Sequence, residues 1–215
     1  MIYENVTQAF ESLYNIIDNQ KPGKNGTKAM YNQCFTIKDT SDKVVRTTYR
    51  KFKVSYAELE WSWYLSKNRS AEPIAKHAKI WYNHMDENGN VNSNYGWQWS
   101  RNNQLDYVVD ELTRDKYSRR ALITIYDGKE HKYYKHDTPC TLSIQFYFKP
   151  DSDKLHMTVT MRSNDLWFGF CNDAYCFLSL HKMVSETLNV EQGEYTHFAQ
   201  NLHLYERHYN KNINN

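Results

Sequence analysis

Apolar side chains in the first half of the chain recur every three or four residues, which is the spacing of an amphipathic helix. This spacing predicts helices over residues 6–17, 56–65 and 105–113. The segment KPGKNGT is rich in turn-forming residues and is predicted to end the first helix as a loop. The segment DENGNVNSNYG has the same character and is predicted to be an ordered surface loop.

The second half alternates apolar and polar residues, which is typical of strands with one buried face. The alternation predicts strands over residues 142–148 and 155–161, joined by the turn KPDSDK. A strand over 121–126 precedes them, and a buried helix over 174–188 and a strand over 195–205 follow. This order predicts an α+β fold in which helices pack against a mixed β-sheet. The length of 215 residues favours one domain, residues 1–215.

Composition narrows the class of protein. Hydrophobic residues make up 40% of the chain and charged residues 24%, with only 7 Gly and 4 Pro, which excludes collagen-like and disordered chains. The formal net charge of +2 gives no broad field of one sign, so we expect no direct nucleic-acid binding. An anionic ligand would need a local pocket. Aromatic residues make up 15% of the chain and can supply flat walls for a planar ligand.

The chain shows no targeting or membrane signal. It contains no apolar run of about 18 residues, and its first residues lack the basic and then apolar stretch of a signal peptide. We therefore expect a cytoplasmic protein without membrane contact. The four cysteines form neither a CxxC pair nor a Cys/His spacing typical of zinc, so we expect no disulfide framework and no metal.

Cys140 is the first candidate for chemistry, because it follows a proline at the start of a predicted strand. A cysteine in this place can be a nucleophile or simply a small buried side chain. A nucleophile must spend time as the thiolate, which nearby positive charge stabilises. Arg119, Arg120 and Arg162 are the candidates to supply that charge.

Two polar clusters are further candidates. The pair Arg119-Arg120 can clamp a phosphate with its guanidinium groups, or it can be two solvated charges at a strand end. The segment MRSNDLWFGFCNDAY sets many polar groups between an apolar strand and an apolar helix. Burying those groups is costly unless they bind each other or a ligand, so this segment is a candidate binding site.

Two smaller patterns also carry polar groups. His203 and Tyr205 alternate on one face of a predicted strand, so their polar tips point the same way, as ligand contacts or as satisfied core groups. Glu58 and Glu60 lie on a predicted helix beside tryptophans. A half-buried carboxylate there has a shifted pKa and can move protons, whereas a solvated helix face is the alternative.

These segments together resemble the thymidylate synthase superfamily. The resemblance runs from about residue 58 to residue 208. It rests on seven short motifs in the family's order: ELEW, KIW, DENGNVNSNYGWQW, SRR, the PC pair followed by QFYF, RSND with its following glycine, and HLYERH. Within the superfamily, RSND, FGFCND and NSNYGW are most similar to the deoxycytidylate (dCMP) hydroxymethylases of phages. The resemblance implies a thymidylate synthase-like fold and a homodimer formed through the sheet.

The resemblance also implies a mechanism. The Cys140 thiolate would add to C6 of a pyrimidine nucleotide, and C5 would then attack the methylene of the co-substrate 5,10-methylenetetrahydrofolate. Tyr95 would help to remove the C5 proton through ordered water, and Glu58 would organise that water. Water addition to the resulting carbon gives a hydroxymethyl group, whereas hydride delivery gives a methyl group.

Asp173 is the position that decides between the bases. Read without gaps, it falls where thymidylate synthases carry an asparagine that recognises uracil. A carboxyl group can match the N4 amino group and N3 of cytosine, so an aspartate there favours dCMP. The neighbouring Asn172 is the alternative, because a shift of one residue would return an amide to the site and favour dUMP.

Other roles follow from matched positions. Arg162 and Ser163 would bind the nucleotide phosphate, with Arg119 and Arg120 reaching across from the second subunit of the homodimer. His203 and Tyr205 would hold the 3'-hydroxyl of the sugar, and Trp81 and Asp165 would face the pterin ring of the folate.

The chain departs from the family at its end, because Asn215 follows HLYERH closely and no final strand and tail are present. We therefore expect a C-terminal tail that is shortened relative to the family. The sequence predicts a dCMP hydroxymethylase in a phage-infected host cytoplasm. The alternatives are a thymidylate synthase or dUMP hydroxymethylase, a ribonucleotide CMP hydroxymethylase, and a nucleotide-binding member of the family without turnover.

Overall fold

The computed structural model describes residues 1–132 and 137–211. Its centre is a mixed seven-stranded sheet with the strand order β1-β2-β7-β5-β4-β3, and β6 pairs with β7 beside that path. The strands are β1 (Ile2–Tyr3), β2 (Thr27–Ile37), β3 (Leu122–Thr124), β4 (Thr141–Phe148), β5 (Leu155–Met161), β6 (Asn164–Asp165) and β7 (Gln192–Tyr205).

Seven α-helices accompany the sheet in the described residues. They are α1 (Val6–Asp18), α2 (Val54–Leu65), α3 (Glu72–Ala75), α4 (Tyr95–Ser100), α5 (Gln104–Arg114), α6 (Gly128–His131) and α7 (Cys171–Thr187). The 3₁₀ turns lie at Lys79–Asn83, Arg101–Asn103 and Glu206–His208, and a single π-helical turn at Leu166–Phe170 leads into α7.

Helices α1 and α7 cover one face of the sheet. Helix α1 begins at Asn5, whose side chain accepts a hydrogen bond from the backbone N–H of Gln8. Its apolar stripe is fully buried: Val6, Ala9, Phe10, Leu13, Tyr14 and Ile17. On the opposite face of the sheet, side chains such as Thr158, Thr160 and Phe198 stay partly exposed. The sheet therefore has one face covered by this chain and one face that is not.

The parallel pairing of β5 with β7 positions the polar segment after β5. Val159 pairs with His197 and Met161 with Ala199, and β6 then continues alongside β7, with Asp165 opposite His203. The chain turns through residues 166–170 directly into α7. As a result, the RSND segment and the start of α7 lie at one end of the sheet.

The structure confirms the predicted α+β class and its mixed sheet. The expected helices near residues 6–17, 56–65 and 105–113 are present, as are the strands near 142–148 and 155–161. The sequence pattern does not predict β2, which is a strand of eleven residues. Its polar residues obscure the alternation of apolar and polar positions, and Asn32 within it has a φ of 54°. The predicted surface loop at 86–96 lies at the surface only in its first half, because Val91, Asn92 and Asn94 are buried and Tyr95 and Gly96 already belong to α4.

The single domain over residues 1–215 stays a prediction, and its last four residues lie outside the described part of the chain. None of the helices within residues 1–132 and 137–211 is long and apolar enough to cross a membrane.

The close approach of α4 to α2 depends on Gly96. A Cβ atom at this position would lie 1.7 Å from the carbonyl oxygen of Tyr64, which is backbone and cannot move aside cheaply. We expect Gly96→Ala to lower the free energy of unfolding by about 3 kcal/mol, measured by chemical denaturation. Gly128→Ala is the matched control, because the nearest atom to its added Cβ is 4.0 Å away. Equal stability of the two variants would contradict this packing.

Candidate active site

Cys140 lies immediately before β4 and is partly buried. Arg162 holds its segment: the guanidinium donates to the carbonyl oxygens of Pro139 at 3.0 Å and Thr138 at 2.7 Å, and the Arg162 backbone N–H donates to the Cys140 carbonyl. Burial raises the pKa of the Cys140 thiol to about 11, while the charge of Arg162 opposes this rise. Arg162 thus fixes the backbone next to the cysteine and also places a positive charge near the thiol.

The structure corrects the suggestion that Arg119 and Arg120 supply charge to Cys140. Both residues are exposed, just before β3. The charge of Arg120 acts on Glu111 of α5, and the Arg119 carbonyl accepts from the Gln145 side chain. Within one chain, these two arginines are therefore positioned for a contact at the surface and not for one at the thiol.

Asp173 lies in the first turn of α7 and faces the same site. The Asn164 side-chain amide donates to its Oδ2 at 2.7 Å. A Cβ on Gly169 would lie 2.9 Å from that amide nitrogen and 3.5 Å from Oδ2, so a glycine leaves room for this pair. Burial and the charge of Glu60 raise the pKa of Asp173 to about 8, against the effect of the Asn164 hydrogen bond. The buried environment therefore favours the protonated form of this acid.

The glutamate of the site is Glu60 and not Glu58. Glu58 is exposed on α2, whereas Glu60 is only 6% exposed, on the opposite side of the helix. Burial raises the pKa of Glu60 to about 7, and hydrogen bonds from Tyr64 and Tyr56 oppose the rise. The Tyr64 hydroxyl donates to Oε1 at 3.0 Å, while Oε2 is buried without a well-formed hydrogen bond to any described residue.

The helical phase explains this correction. The spacing of a glutamate three residues before a tryptophan occurs twice, at Glu58 with Trp61 and at Glu60 with Trp63. Only the second pair belongs to the buried face of α2, which consists of Ala57, Glu60, Trp63 and Tyr64. Both glutamates are candidates from the sequence, and the periodicity of the buried positions is the signal that separates them.

Tyr95 is buried at the start of α4, where the Asn94 side chain accepts from the Trp97 backbone N–H. Its ring stacks on Phe177 of α7, with centroids 5.7 Å apart. Burial raises the pKa of Tyr95, and the charges of Asp173 and Cys140 add to this effect. The phenol therefore lies near both groups and keeps its proton.

Trp81 reaches the same region from the 3₁₀ turn at Lys79–Asn83. Its indole N–H donates to the Tyr56 hydroxyl at 2.9 Å, and its ring meets Trp63 at 5.1 Å between centroids. The Trp81 side chain is only partly buried, so part of this aromatic surface remains accessible.

The predicted sugar and pterin residues meet where β6 pairs with β7. The His203 and Tyr205 rings contact each other with centroids 5.1 Å apart, and His203 is buried while Tyr205 is 42% exposed. Asp165 lies across the pair from His203, and its carboxylate accepts from the backbone N–H groups of Trp167 and Phe168. Asp165 therefore caps the turn that leads into α7 in addition to any ligand contact.

Ser163 and Asn172 lie near the site, but neither makes a side-chain contact to a described residue like those of Asp165 or Asp173. Ser163 is partly buried between β5 and β6, and Asn172 is partly buried beside Asp173 on α7. It is Asp173 whose charge acts on Cys140 and Tyr95. Of the two neighbours, Asp173 is therefore the residue that interacts with Cys140 and Tyr95, and its role in base recognition stays a prediction.

The assembled groups are a thiol beside a guanidinium, two carboxyl groups with raised pKa values, a buried phenol and an accessible indole. Such groups can form a covalent bond to an electrophilic carbon and move protons at neutral pH. Among residues 1–132 and 137–211, no cluster of three or more acidic, histidine or cysteine side chains is arranged to hold a metal ion.

Comparison with known proteins identifies the family. The model of the thymidylate synthase family matches residues 8–214, nearly the whole chain. The chain therefore belongs to the thymidylate synthase family. In fold, it is similar to the thermostable thymidylate synthase A from Bacillus subtilis, with a TM-score of 0.74 and 23% identity over 95% of this chain and 81% of that one.

Individual relatives carry two different activities in their names. The deoxycytidylate 5-hydroxymethyltransferase of Enterobacteria phage T4 is 35% identical over 170 residues, which cover 72% of this chain and 68% of the relative. The thymidylate synthase of Bacillus mojavensis is 29% identical over 180 residues, which cover 79% of this chain. The matched part spans 63% of the length of that Bacillus relative.

The raised pKa of Asp173 predicts how stability depends on pH. In the unfolded chain this carboxyl ionises near pH 3.8, whereas in the folded protein it ionises near pH 8. Between these values the folded state holds the extra proton, so the free energy of unfolding falls as the pH rises. We expect Asp173→Asn to lose less stability than the wild type between about pH 5 and pH 8, measured by urea denaturation.

Asp110→Asn is the control for this prediction, because Asp110 is exposed on α5. Its stability should follow the wild-type curve. Parallel curves for Asp173→Asn and the wild type would show that Asp173 is not a buried acid.

Proposed function

We propose that the protein is a deoxycytidylate 5-hydroxymethyltransferase. It would transfer a one-carbon unit from 5,10-methylenetetrahydrofolate to C5 of dCMP and add water, giving 5-hydroxymethyl-dCMP and tetrahydrofolate. The observation that carries the proposal is the Asn164–Asp173 pair, which sets an oriented carboxyl group beside Cys140. The 35% identity with the phage T4 enzyme supports the same substrate.

Cys140 is the nucleophile in this proposal. Its thiolate adds to C6 of the pyrimidine, and the electron pair of the C5–C6 double bond moves to C5, which becomes the attacking carbon. Arg162 favours the thiolate electrostatically and fixes the segment from residue 138 to residue 140. The electron pair released with the C5 proton would displace tetrahydrofolate from the new carbon. When water adds to that carbon, the electron pair returned to C5 would expel the thiolate from C6, which regenerates the cysteine.

Asp173 reads the base. A protonated Asp173 can donate to N3 of cytosine and accept from its N4 amino group, and an ionised Asp173 still accepts from N4 and from a protonated N3. Uracil carries a hydrogen on N3, so an acid whose proton is directed at N3 would meet it donor to donor. Because Asn164 donates to Oδ2, the proton of the acid is favoured on Oδ1, and the carboxyl group has a fixed orientation.

Glu60 and Tyr95 handle protons. Glu60, with a pKa of about 7, can accept and return a proton near neutral pH. Its Oε1 is held by Tyr64, and its Oε2 is a buried acceptor suited to a water molecule. Tyr95 lies beside Cys140 and Asp173 and would help to relay the C5 proton. The role that the family resemblance gave to Glu58 thus passes to Glu60.

The residues present fit a folate. Folate would supply a one-carbon unit at the oxidation level of formaldehyde when it is bound. Trp81 offers an accessible indole face next to Tyr56, and Asp165 lies at the turn before α7. The chain's own residues would seat the planar ring against this indole and hold Glu60 close to the reacting carbon.

We further propose a homodimer formed through the uncovered face of the sheet. Arg119 and Arg120 of one subunit would then reach the nucleotide phosphate bound by the other subunit. The same phosphate would also be bound by Arg162 and Ser163 of the subunit that holds the nucleotide. Their exposure in the single chain supports this arrangement. His203 and Tyr205 would hold the sugar hydroxyl.

Thymidylate synthase or dUMP hydroxymethylase activity is the second candidate. The Bacillus relatives at 29% identity carry the name thymidylate synthase, and the two activities share every step up to the fate of the new carbon. Asp173 in place of an amide is the observation that favours dCMP.

The product of the reaction tests the proposal. We expect purified protein incubated with methylenetetrahydrofolate and dCMP to add one CH₂O unit to the nucleotide and to release tetrahydrofolate, as identified by mass spectrometry. Addition of a CH₂ unit to dUMP, with dihydrofolate released, would instead establish a thymidylate synthase.

Replacement of the nucleophile provides an independent check. Cys140→Ser should abolish turnover and leave nucleotide binding largely intact, because only the thiolate step is lost. Cys34→Ser is the matched control, since Cys34 is exposed on β2, and it should retain wild-type activity. Full activity of Cys140→Ser would remove this cysteine from the mechanism.

Base selection provides a further prediction. We expect Asp173→Asn to shift the ratio of kcat/KM for dCMP and dUMP toward dUMP by roughly tenfold or more, because an amide matches the uracil edge. Asn172→Asp is the control and should leave the preference unchanged. A shift caused by the Asn172 variant alone would transfer base recognition to that residue.

A further inference from the structure

Tyr56 connects two groups of the site. It lies on α2, and its hydroxyl oxygen accepts a hydrogen bond from the Trp81 indole N–H at 2.9 Å. An indole nitrogen only donates, so this contact occupies one lone pair of the Tyr56 oxygen and leaves the tyrosine's own hydrogen for another acceptor.

Glu60 offers such an acceptor, because its Oε2 is buried and makes no well-formed hydrogen bond to a described residue. It follows Tyr56 by four residues, so the two side chains lie on the same side of the helix, one turn apart. Hydrogen bonding from Tyr56 lowers the pKa of Glu60, in addition to the effect of Tyr64. A hydroxyl that accepts a hydrogen bond becomes a better donor, so Trp81 strengthens the hold of Tyr56 on Glu60.

We propose that Tyr56 is a positioning residue that links the Trp81 indole to the Glu60 carboxyl group. The inference rests on the proposed function in one respect, the seating of a planar ring against Trp81. A ring seated there would fix the indole, and through Tyr56 it would fix the orientation of Glu60. The carboxyl group would then be aligned when the one-carbon donor is present.

Other groups also face Glu60 and must be separated from Tyr56. Asp173 and Cys176 of α7 interact with it through charge, and Tyr64 bonds to it from its own helix and meets Tyr95 of α4. All of these remain in place when only the Tyr56 hydroxyl or the Trp81 N–H is removed. The variants Tyr56→Phe and Trp81→Phe therefore isolate the proposed link.

The test is a carbon-13 NMR titration of glutamate side-chain carboxyl groups in the protein without ligands, with Glu60→Gln identifying the Glu60 signal. Tyr56→Phe should raise the pKa of Glu60 by about half a unit to one unit, because a hydrogen bond to the charged form is lost. Trp81→Phe should raise it by a smaller amount. The double variant should match Tyr56→Phe alone, since Trp81 acts through Tyr56.

Two further variants make the test specific. In Tyr64→Phe combined with Trp81→Phe, the two shifts should add, because Tyr64 belongs to a separate contact. Tyr82→Phe is the matched control, since Tyr82 is 53% exposed beside Trp81, and it should leave the titration unchanged. An unchanged pKa in Tyr56→Phe, or additive shifts of the Tyr56 and Trp81 variants, would overturn the proposal.

Turnover provides the second readout. The pH profile of kcat should shift in Tyr56→Phe in the same direction as the NMR titration, while the KM for the nucleotide changes little. If the protein transfers no one-carbon unit to any pyrimidine nucleotide, the proposed function fails, yet the titration still decides whether Tyr56 links Trp81 to Glu60.

Discussion

Two carboxyl groups held out of water are the constraint on which the rest of the site depends. Burial of Glu60 and Asp173 disfavours their charged forms, and the charge of Glu60 further raises the cost of ionising Asp173. The packing around these two acids includes close approaches at two glycines. Gly96 lets α4 approach α2, and Gly169 leaves space for the amide of Asn164 on Asp173.

Arg162 shows how one side chain can link structure to chemistry. Its guanidinium is committed to two backbone carbonyls of the cysteine segment, so it cannot turn freely toward a distant anion. In the proposed function, Arg162 would therefore first fix the segment that carries the nucleophile, and only its remaining donors would be available to a phosphate. A phosphate with two negative charges calls for more cations than this one, and the exposed pair Arg119-Arg120 meets that need only if a second chain brings it to the site.

The sequence predicts the fold well where burial is one-sided and fails where it is not. The buried positions of helix α1 follow a regular helical spacing, and those of strand β5 alternate from Met157 to Met161. Strand β2 has polar residues on both faces, so its sequence does not identify it as a strand. Cys140 and Asp173 can be identified as candidates from sequence motifs, because the residue type at each motif position is sufficient to identify them. Glu60 cannot be separated from Glu58 in this way, since the choice depends on the phase of a helix relative to its neighbours. The Asn164–Asp173 bond is equally hidden, because a π-helical turn brings the two residues together.

The fate of the new carbon depends on which nucleophile reaches it. Water addition requires an acceptor that orients a water molecule beside the carbon and takes up its proton. Glu60 has the properties that this step requires, because Tyr64 fixes one oxygen, the other is buried and open to a new donor, and the pKa of about 7 allows proton exchange near neutrality. A fixed orientation matters as much as basicity here, because a carboxylate free to rotate would hold the water in many positions and activate it in few. The same carboxyl group can therefore serve both the removal of the C5 proton and the final hydration, provided that its neighbours keep it in place.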